Sequence, residues 1–152
     1  MKDNHIQTLF SLENKTAIVT GAGGYLGKAF SECLVAAGAK VMLFGKGNKI
    51  KELSNALNKK YGDKRADGKL VDFYDESKYR ECLSNVVDSN ENIDILVNNA
   101  YEFSKETGFN DPSGKIENIS KQQWMRSFDS GVYWHALATQ VVGEKMKKQQ
   151  SG

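Results

Sequence analysis

The sequence predicts an α/β fold, a doubly wound parallel sheet with helices on both faces. Three observations point to it. Short apolar runs alternate four times with runs of helical periodicity. The apolar runs are continuous, as strands buried on both faces are. The first strand-to-helix turn, "TGAGGYLG" at 20–27, carries four glycines.

Each element follows in order. "TAIVT" (16–20) reads as a short buried strand. Lys28 to Ala37 has helical spacing, with Phe30, Cys33, Leu34 and Ala37 on one face and Gly38 as a stop. "KVMLF" (40–44) is a second strand. Ile50, Leu53, Ala56, Leu57 and Tyr61 recur at i+3 and i+4, a second amphipathic helix. "GKLVDF" (68–73) reads as a third strand, and Tyr79, Cys82, Leu83, Val86 and Val87 mark a third helix. "DILVNNA" (94–100) is the fourth and most apolar strand. Residues 101–119 form a long polar loop holding the only proline, Pro112, and long ordered loops tend to be functional. Ser120 with Gln123 spells a capping box for one long last helix to about Lys148. Right-handed crossovers then give the strand order 3-2-1-4. No repeat or linker interrupts the chain, so residues 1–152 read as one domain.

Composition excludes several classes. The chain has 152 residues, 39% hydrophobic and 26% charged, which describes a globular domain. A net charge of +2 is too balanced for a nucleic-acid or membrane-surface binder. No apolar run is long enough to span a bilayer, and the first fifteen residues lack the apolar core of a signal peptide. The expected location is the cytoplasm. Cys33 and Cys82 read as reduced core thiols, and His5 and His135 have no metal-ligand spacing.

The glycines carry the chemistry. At a strand-to-helix turn, the first glycine, Gly21, lets the chain turn sharply. Gly23 and Gly24 clear side chains away, so that a diphosphate lies against backbone N–H groups. Gly27 lets the helix approach the sheet. The helix N-terminus adds unpaired donors and a partial positive charge. A second motif, "NNA" at 98–100, closes the fourth strand, beside the switch point where such ligands bind.

With "TGAGGYLG", "VDF" (71–73) and "NNA" in this order and spacing, the chain resembles the short-chain dehydrogenase/reductase family over essentially its whole length. The resemblance implies a Rossmann-like sheet binding a nicotinamide dinucleotide, truncated after the fourth βα unit, with the catalytic part absent. It assigns the cofactor to Thr20, Gly21, Gly23, Gly24, Tyr25, Leu26 and Gly27 in the turn. Tyr25 stands where the short branch of the family has its middle glycine, and the spacing of the glycines is similar to the extended, sugar-nucleotide branch. By the same resemblance Asp72 accepts a hydrogen bond from the adenine amino group and Phe73 borders the ring. Asn98 braces the central strands through its side chain, Ala100 lies beside the ribose, and Asn99 completes the motif.

The end of the second strand bears on the choice of cofactor. No acid appears between Leu43 and Ile50, whereas Lys46, 19 residues after Gly27, and Lys49 do. A basic residue there accommodates a 2′-phosphate, so NADP(H) is favoured and NAD(H) is the alternative.

The family's reaction is hydride transfer between nicotinamide and a carbonyl or alcohol. Its serine and its Tyr-x-x-x-Lys pair lie on elements that this chain does not contain, so no catalytic residue is assigned. Tyr61 stands three residues before Lys64, but the two follow the second helix. Gly131 falls at the position of the family's helix asparagine, and Tyr101 replaces the glycine that usually follows "NNA". Tyr101, Phe103 and Phe109 either line the substrate cleft or pack on the next helix. The stretches "NNAYEFS" and "SGVYW" resemble bacterial flagellin modification oxidoreductases of surface-sugar pathways, which implies a sugar or sugar-nucleotide substrate. The last helix (Trp124, Phe128, Val132, Leu137, Val141, Val142) is apolar enough to want a partner, and the resemblance, in which such a helix packs between subunits, implies a homo-oligomer for the full-length protein. Two other readings stay open: a nonenzymatic NADP(H)-binding module, and half of a sugar-nucleotide epimerase or dehydratase.

Overall fold

The computed structural model describes residues 8–152, so His5 lies outside the described residues. Four parallel strands, β1 (Thr16–Thr20), β2 (Lys40–Gly45), β3 (Ala66–Leu70) and β4 (Ile95–Val97), pair in the order β3-β2-β1-β4. This is the expected order. The helices between them are α1 (Tyr25–Ala36), α2 (Asn48–Tyr61) and α3 (Glu76–Ser89).

Strand alternation sends neighbouring side chains to opposite faces. Ala17, Val19, Val41 and Leu43 meet Val35 of α1 and Ile50 and Leu57 of α2 in one core. Ile18, Met42 and Phe44 meet Tyr79, Leu83 and Val86 of α3 in the other, together with Leu137 and Val142 further on. Two cores, one on each face, are what a doubly wound sheet requires.

The third strand begins earlier than expected and ends at Leu70, so Val71 to Phe73 lie beyond it. The apolar pattern misplaced it because β3 is an edge strand, polar in "ADGKL". Side chains pin its start: Ser54 Oγ and Asn58 Nδ2 both donate to the Ala66 carbonyl at 2.9 Å. Val71 and Phe73 are buried as core residues of the following turn.

Helix α1 starts at Tyr25, and its buried stripe is Gly27, Ser31 and Val35 rather than Phe30, Cys33, Leu34 and Ala37. Small residues win that face because the helix lies close on the sheet, and Ser31 Oγ donates to the Gly27 carbonyl at 2.6 Å. Phe30 and Cys33 are exposed. On α2, Ile50, Ser54 and Leu57 are buried and Ala56 faces solvent. Cys82 is half-buried, both cysteines are free, and burial raises the pKa of the Cys82 thiol.

The loop after β4 contains two single 3₁₀ turns, Lys105–Thr107 and Pro112–Gly114. The capping box forms as read: Ser120 Oγ accepts the Gln123 N–H at 3.2 Å and Gln123 Oε1 accepts the Ser120 N–H at 3.0 Å. The last helix is not continuous. Helix α4 (Lys121–Phe128) passes into a π-turn (Asp129–Tyr133) and then α5 (Trp134–Gln149). The wider turn shifts the phase of the helix. Trp124, Phe128 and Val132 are therefore exposed, while Trp134, Leu137, Ala138 and Val142 are buried.

Candidate functional site

A cleft of about 840 Å³ opens at the C-terminal ends of the strands. That is the place where open α/β sheets bind ligands, and the size suits a small molecule. Its first wall is the turn after β1. Gly21 has φ of 65°, and a Cβ there would lie 2.8 Å from Ala100 Cα. A Cβ at Gly27 would lie 2.2 Å from the Gly21 carbonyl oxygen. Packing itself requires these two glycines.

Gly23 and Gly24 are different. A Cβ on Gly23 would make ordinary contact with Ile50 at 3.4 Å, and one on Gly24 would lie 3.3 Å from the Gly21 oxygen. Neither position is barred by the fold, yet both line the cleft and leave it clear. Gly24 also caps α1 without a side-chain hydrogen bond, and no acid stands in its first turn. The first N–H groups of a helix have no intrahelical partner and carry a partial positive charge. Together these features form a cradle for an anion. Leu26 lines the cleft, and the ring of Tyr25, 93% exposed, stands out into solvent and does not fill the turn.

The second wall follows β4. Thr20 is fully buried and does not line the cleft; its Oγ1 donates to the Val97 carbonyl and accepts N–H bonds from Asn99 (3.0 Å) and Ala100 (3.1 Å). Asn99 Nδ2 in turn donates to the carbonyls of Thr20 (3.0 Å) and Gly21 (3.2 Å). The strand brace expected of Asn98 is therefore made by Asn99. Asn98 points the opposite way, as successive residues in extended chain do, and its Nδ2 donates to Thr139 Oγ1 of α5 at 3.0 Å. His135 Nε2 lies 2.7 Å from the Ala100 carbonyl; a carbonyl only accepts, so the imidazole donates.

The third wall lies past β2 and β3. Lys46 Nζ pairs with Asp72 at 2.7 Å, and Asp72 Oδ1 also accepts the Tyr74 N–H at 3.0 Å. Burial pushes the Asp72 carboxyl upward, but the Lys46 bond and the Tyr74 N–H outweigh it and hold the carboxyl below its ordinary value. Phe73 is 7% exposed, with its ring 4.8 Å from Tyr79 and 5.1 Å from Trp134, so most of it belongs to the core.

Sequence reasoning missed five cleft residues: Gly45, Tyr74, Glu102, Ser104 and Trp134. Arg126 of α4 grips Glu102 with Nε at 2.7 Å and Nη2 at 3.0 Å, and Tyr74 donates its hydroxyl to the same carboxylate. The guanidinium lies 4.2 Å from the centroid of the Tyr74 ring and Lys46 Nζ lies 5.5 Å from it. Burial and the Glu102 carboxylate both raise the pKa of the Tyr74 phenol. A polar residue in a long loop, 24 positions from its partner, leaves no sequence signal.

Gly131 sits within the π-turn, against the ring of Tyr101, and offers no side chain there. Tyr61 bonds Glu32 at 3.0 Å and does not line the cleft. Among the described residues no helix is long and apolar enough to cross a membrane.

The family model described as short chain dehydrogenase matches residues 15–152. A 2-dehydro-3-deoxy-D-gluconate 5-dehydrogenase of Bacillus subtilis is 26% identical, over 97% of this chain and 54% of its own length. A sorbose reductase of Candida albicans is 30% identical, over 98% of this chain and 50% of its own. Among solved structures, a proposed NAD(P)-dependent gluconate 5-dehydrogenase of Beutenbergia cavernae, with bound NADP at low occupancy, superposes with a TM-score of 0.82. It is 25% identical, and the match covers 94% of this chain and 53% of that one. The chain thus spans about half the length of the curated relatives it matches.

Proposed function

As the chain belongs to the short-chain dehydrogenase family, we propose that it supplies the dinucleotide-binding half of an NAD(P)-dependent oxidoreductase. The reaction is hydride transfer between the nicotinamide of the cofactor and a carbonyl or alcohol. One observation carries this reading. Gly23 is bare where packing does not demand it, Gly24 stands where a Cβ would only press on the Gly21 carbonyl oxygen, and both face the cleft beside an uncapped helix N-terminus. A diphosphate needs that combination of clear space and free donors.

In this reading the backbone of Gly21 to Gly27 holds the diphosphate, and Ala100 borders a ribose. Lys46 takes the 2′-phosphate, so NADP(H) is preferred over NAD(H). Asp72 receives the adenine amino group once it parts from Lys46, and Tyr74, rather than the buried Phe73, offers its ring to the adenine. Asn98 and Thr20 hold the second wall from outside the cleft, and Asn99 both braces that wall and lines the cleft. Titration of the chain with NADPH and NADH, followed by nucleotide fluorescence, tests this. Saturable binding with NADPH tighter is expected; no binding of either would overturn the reading.

Tyr74 with Lys78 and Tyr101 with Lys105 have the Tyr-x-x-x-Lys spacing, and both tyrosines line the cleft. Neither pair lies on the elements that carry the family's pair, and Lys78 binds Asp75 while the Tyr74 hydroxyl binds Glu102, so residues 1–152 alone are expected not to oxidise NADPH with any carbonyl. The substrate class proposed is a sugar or polyol, as the names of the sorbose and deoxygluconate relatives suggest. The narrower likeness to flagellin modification oxidoreductases rests on "NNAYEFS" and "SGVYW" alone. The exposed row of Trp124, Phe128 and Val132 is the surface offered to a second subunit.

A further inference from the structure

Resting on the dinucleotide reading above, we infer that Tyr101 is a specificity-determining residue. Its ring, seated on Gly131, is the wall met by the non-adenine, ring-bearing half of the dinucleotide.

The seat comes first. A Cβ at Gly131 would lie 3.2 Å from Tyr101 Cε2 and 3.5 Å from Cδ2. Even a methyl at position 131 would press on the ring, and anything larger would push it away. Gly131 also falls in the π-turn, an irregularity that helices frequently carry at functional sites. The chain's two departures from the family pattern, Tyr101 for glycine and Gly131 for asparagine, are thus one exchange. Bulk has moved from the helix to the loop, and an aromatic face has replaced an amide.

The ring is held from both sides. The preceding residue is held through both of its backbone polar groups: the Ala100 N–H donates to Thr20 Oγ1 at 3.1 Å and the Ala100 carbonyl accepts from His135 at 2.7 Å. The following residue, Glu102, is fixed by Arg126. Phe103 meets Tyr101 edge-on at 4.8 Å, and Phe109 meets Phe103 at 4.7 Å. Phe103 is nevertheless 68% exposed and lines the cleft beside Tyr101.

Topology decides which half of the ligand arrives there. In the order β3-β2-β1-β4, Lys46 and Tyr74 follow β2 and β3, the glycine turn follows β1, and Tyr101 follows β4. A dinucleotide with its adenosine over β2 and β3 and its diphosphate over β1 carries its second ring to the β4 side. A flat ring there packs against Tyr101.

Two probes on the full chain test this: NADPH, and 2′-phospho-ADP-ribose, which has no nicotinamide. Aromatic pair energies imply that Tyr101→Gly weakens NADPH about threefold to tenfold and leaves 2′-phospho-ADP-ribose within about twofold. Tyr101→Phe keeps both affinities, because the ring and not the hydroxyl makes the wall. Equal weakening of both ligands by Tyr101→Gly would show a merely structural role and overturn the assignment, as would no change in either. Failure of the unmodified chain to bind either probe would overturn the dinucleotide reading itself, and this one with it. Thermal melts of each variant separate loss of fold from loss of contact.

Discussion

The ammonium of Lys46 stands 2.7 Å from the carboxylate of Asp72, with both side chains about half exposed. The sequence suggests two separate duties for them, one at a ribose phosphate and one at an adenine. In the folded chain they are one ion pair, laid beside Tyr74 at the mouth of the cleft. A ligand that engages Lys46 competes with Asp72. NADP(H) brings a phosphate that replaces the carboxylate, whereas NAD(H) brings none. In the proposed reading the pair therefore lowers the preference that Lys46 alone would give.

Lys46→Gln is expected to weaken NADPH about fivefold and NADH by less, since exposed charge pairs contribute up to about 1 kcal/mol. Asp72→Asn releases Lys46 and removes a like charge, so NADPH should tighten by about twofold to threefold on the same scale. Both effects shrink as salt is raised. Calorimetric titration at low and high ionic strength measures them. Unchanged NADPH affinity in Lys46→Gln, or equal weakening of NADPH and NADH, would point to a different phosphate site.

The glycines separate into two experimental classes. Gly27→Ala places a methyl 2.2 Å from a backbone oxygen, so both melting temperature and ligand affinity should fall. The loss should reach about 3 kcal/mol, as overpacking at an unyielding backbone does. Gly21→Val belongs with it, because φ of 65° and the Ala100 backbone already exclude a side chain. Gly23→Ala meets only ordinary contact. It should leave the melt unchanged and still weaken dinucleotide binding, by crowding the diphosphate. Calorimetric melts paired with NADPH titrations read both quantities.

Much of this was legible because repeating physics wrote it. The alternation of strands and helices, the order 3-2-1-4 and the glycine turn each follow from a local pattern. What escaped was set by tertiary context. Strand β3 looked shifted because an edge strand need not be apolar, and "ADGKL" is not. The face of α1 was misread because close packing prefers Gly27 and Ser31 over the larger Phe30. Asn98 and Asn99 are the same residue type, and only the direction of the chain past Val97 tells which one braces β1. The π-turn has no periodic signature, so the exposure of Trp124 and Phe128 could not be foreseen.

Acid should loosen the sheet at the start of β1. Asp94 accepts the Thr16 N–H at 2.9 Å and the Lys15 ammonium at 2.9 Å, and its side chain is 12% exposed. Burial pushes its carboxyl upward, but the two bonds prevail and lower it below its ordinary value. A depressed carboxylate stabilises the fold fully above its unfolded pKa, near 3.9, and the gain is lost as pH falls through the lower folded value. Asp94→Asn should therefore cost about 1–2 kcal/mol at neutral pH, and the cost should vanish once pH has fallen below the lowered folded value. Urea titrations across that range give the curve; equal losses at pH 7 and at low pH would exclude a charge effect.

Thr20 carries the final prediction. Its hydroxyl is fully buried, donates to the Val97 carbonyl at 3.3 Å, and accepts the N–H groups of both Asn99 and Ala100. Those two donors belong to the wall facing the glycine turn, and water does not reach them at Thr20. Thr20→Val keeps the shape and removes the acceptor, leaving two N–H groups without it. Each unsatisfied buried group costs about 1–3 kcal/mol, so the variant should lose about 2–4 kcal/mol after partial relaxation. Thr20→Ser keeps the oxygen and loses one methyl, which should cost only about 1 kcal/mol. The same order should appear in NADPH affinity, because the segment from Asn99 to Tyr101 is positioned through these bonds. Urea unfolding of the two variants, with NADPH titrations beside it, decides the matter: a Thr20→Val protein as stable as Thr20→Ser would show that the hydroxyl does not hold the wall.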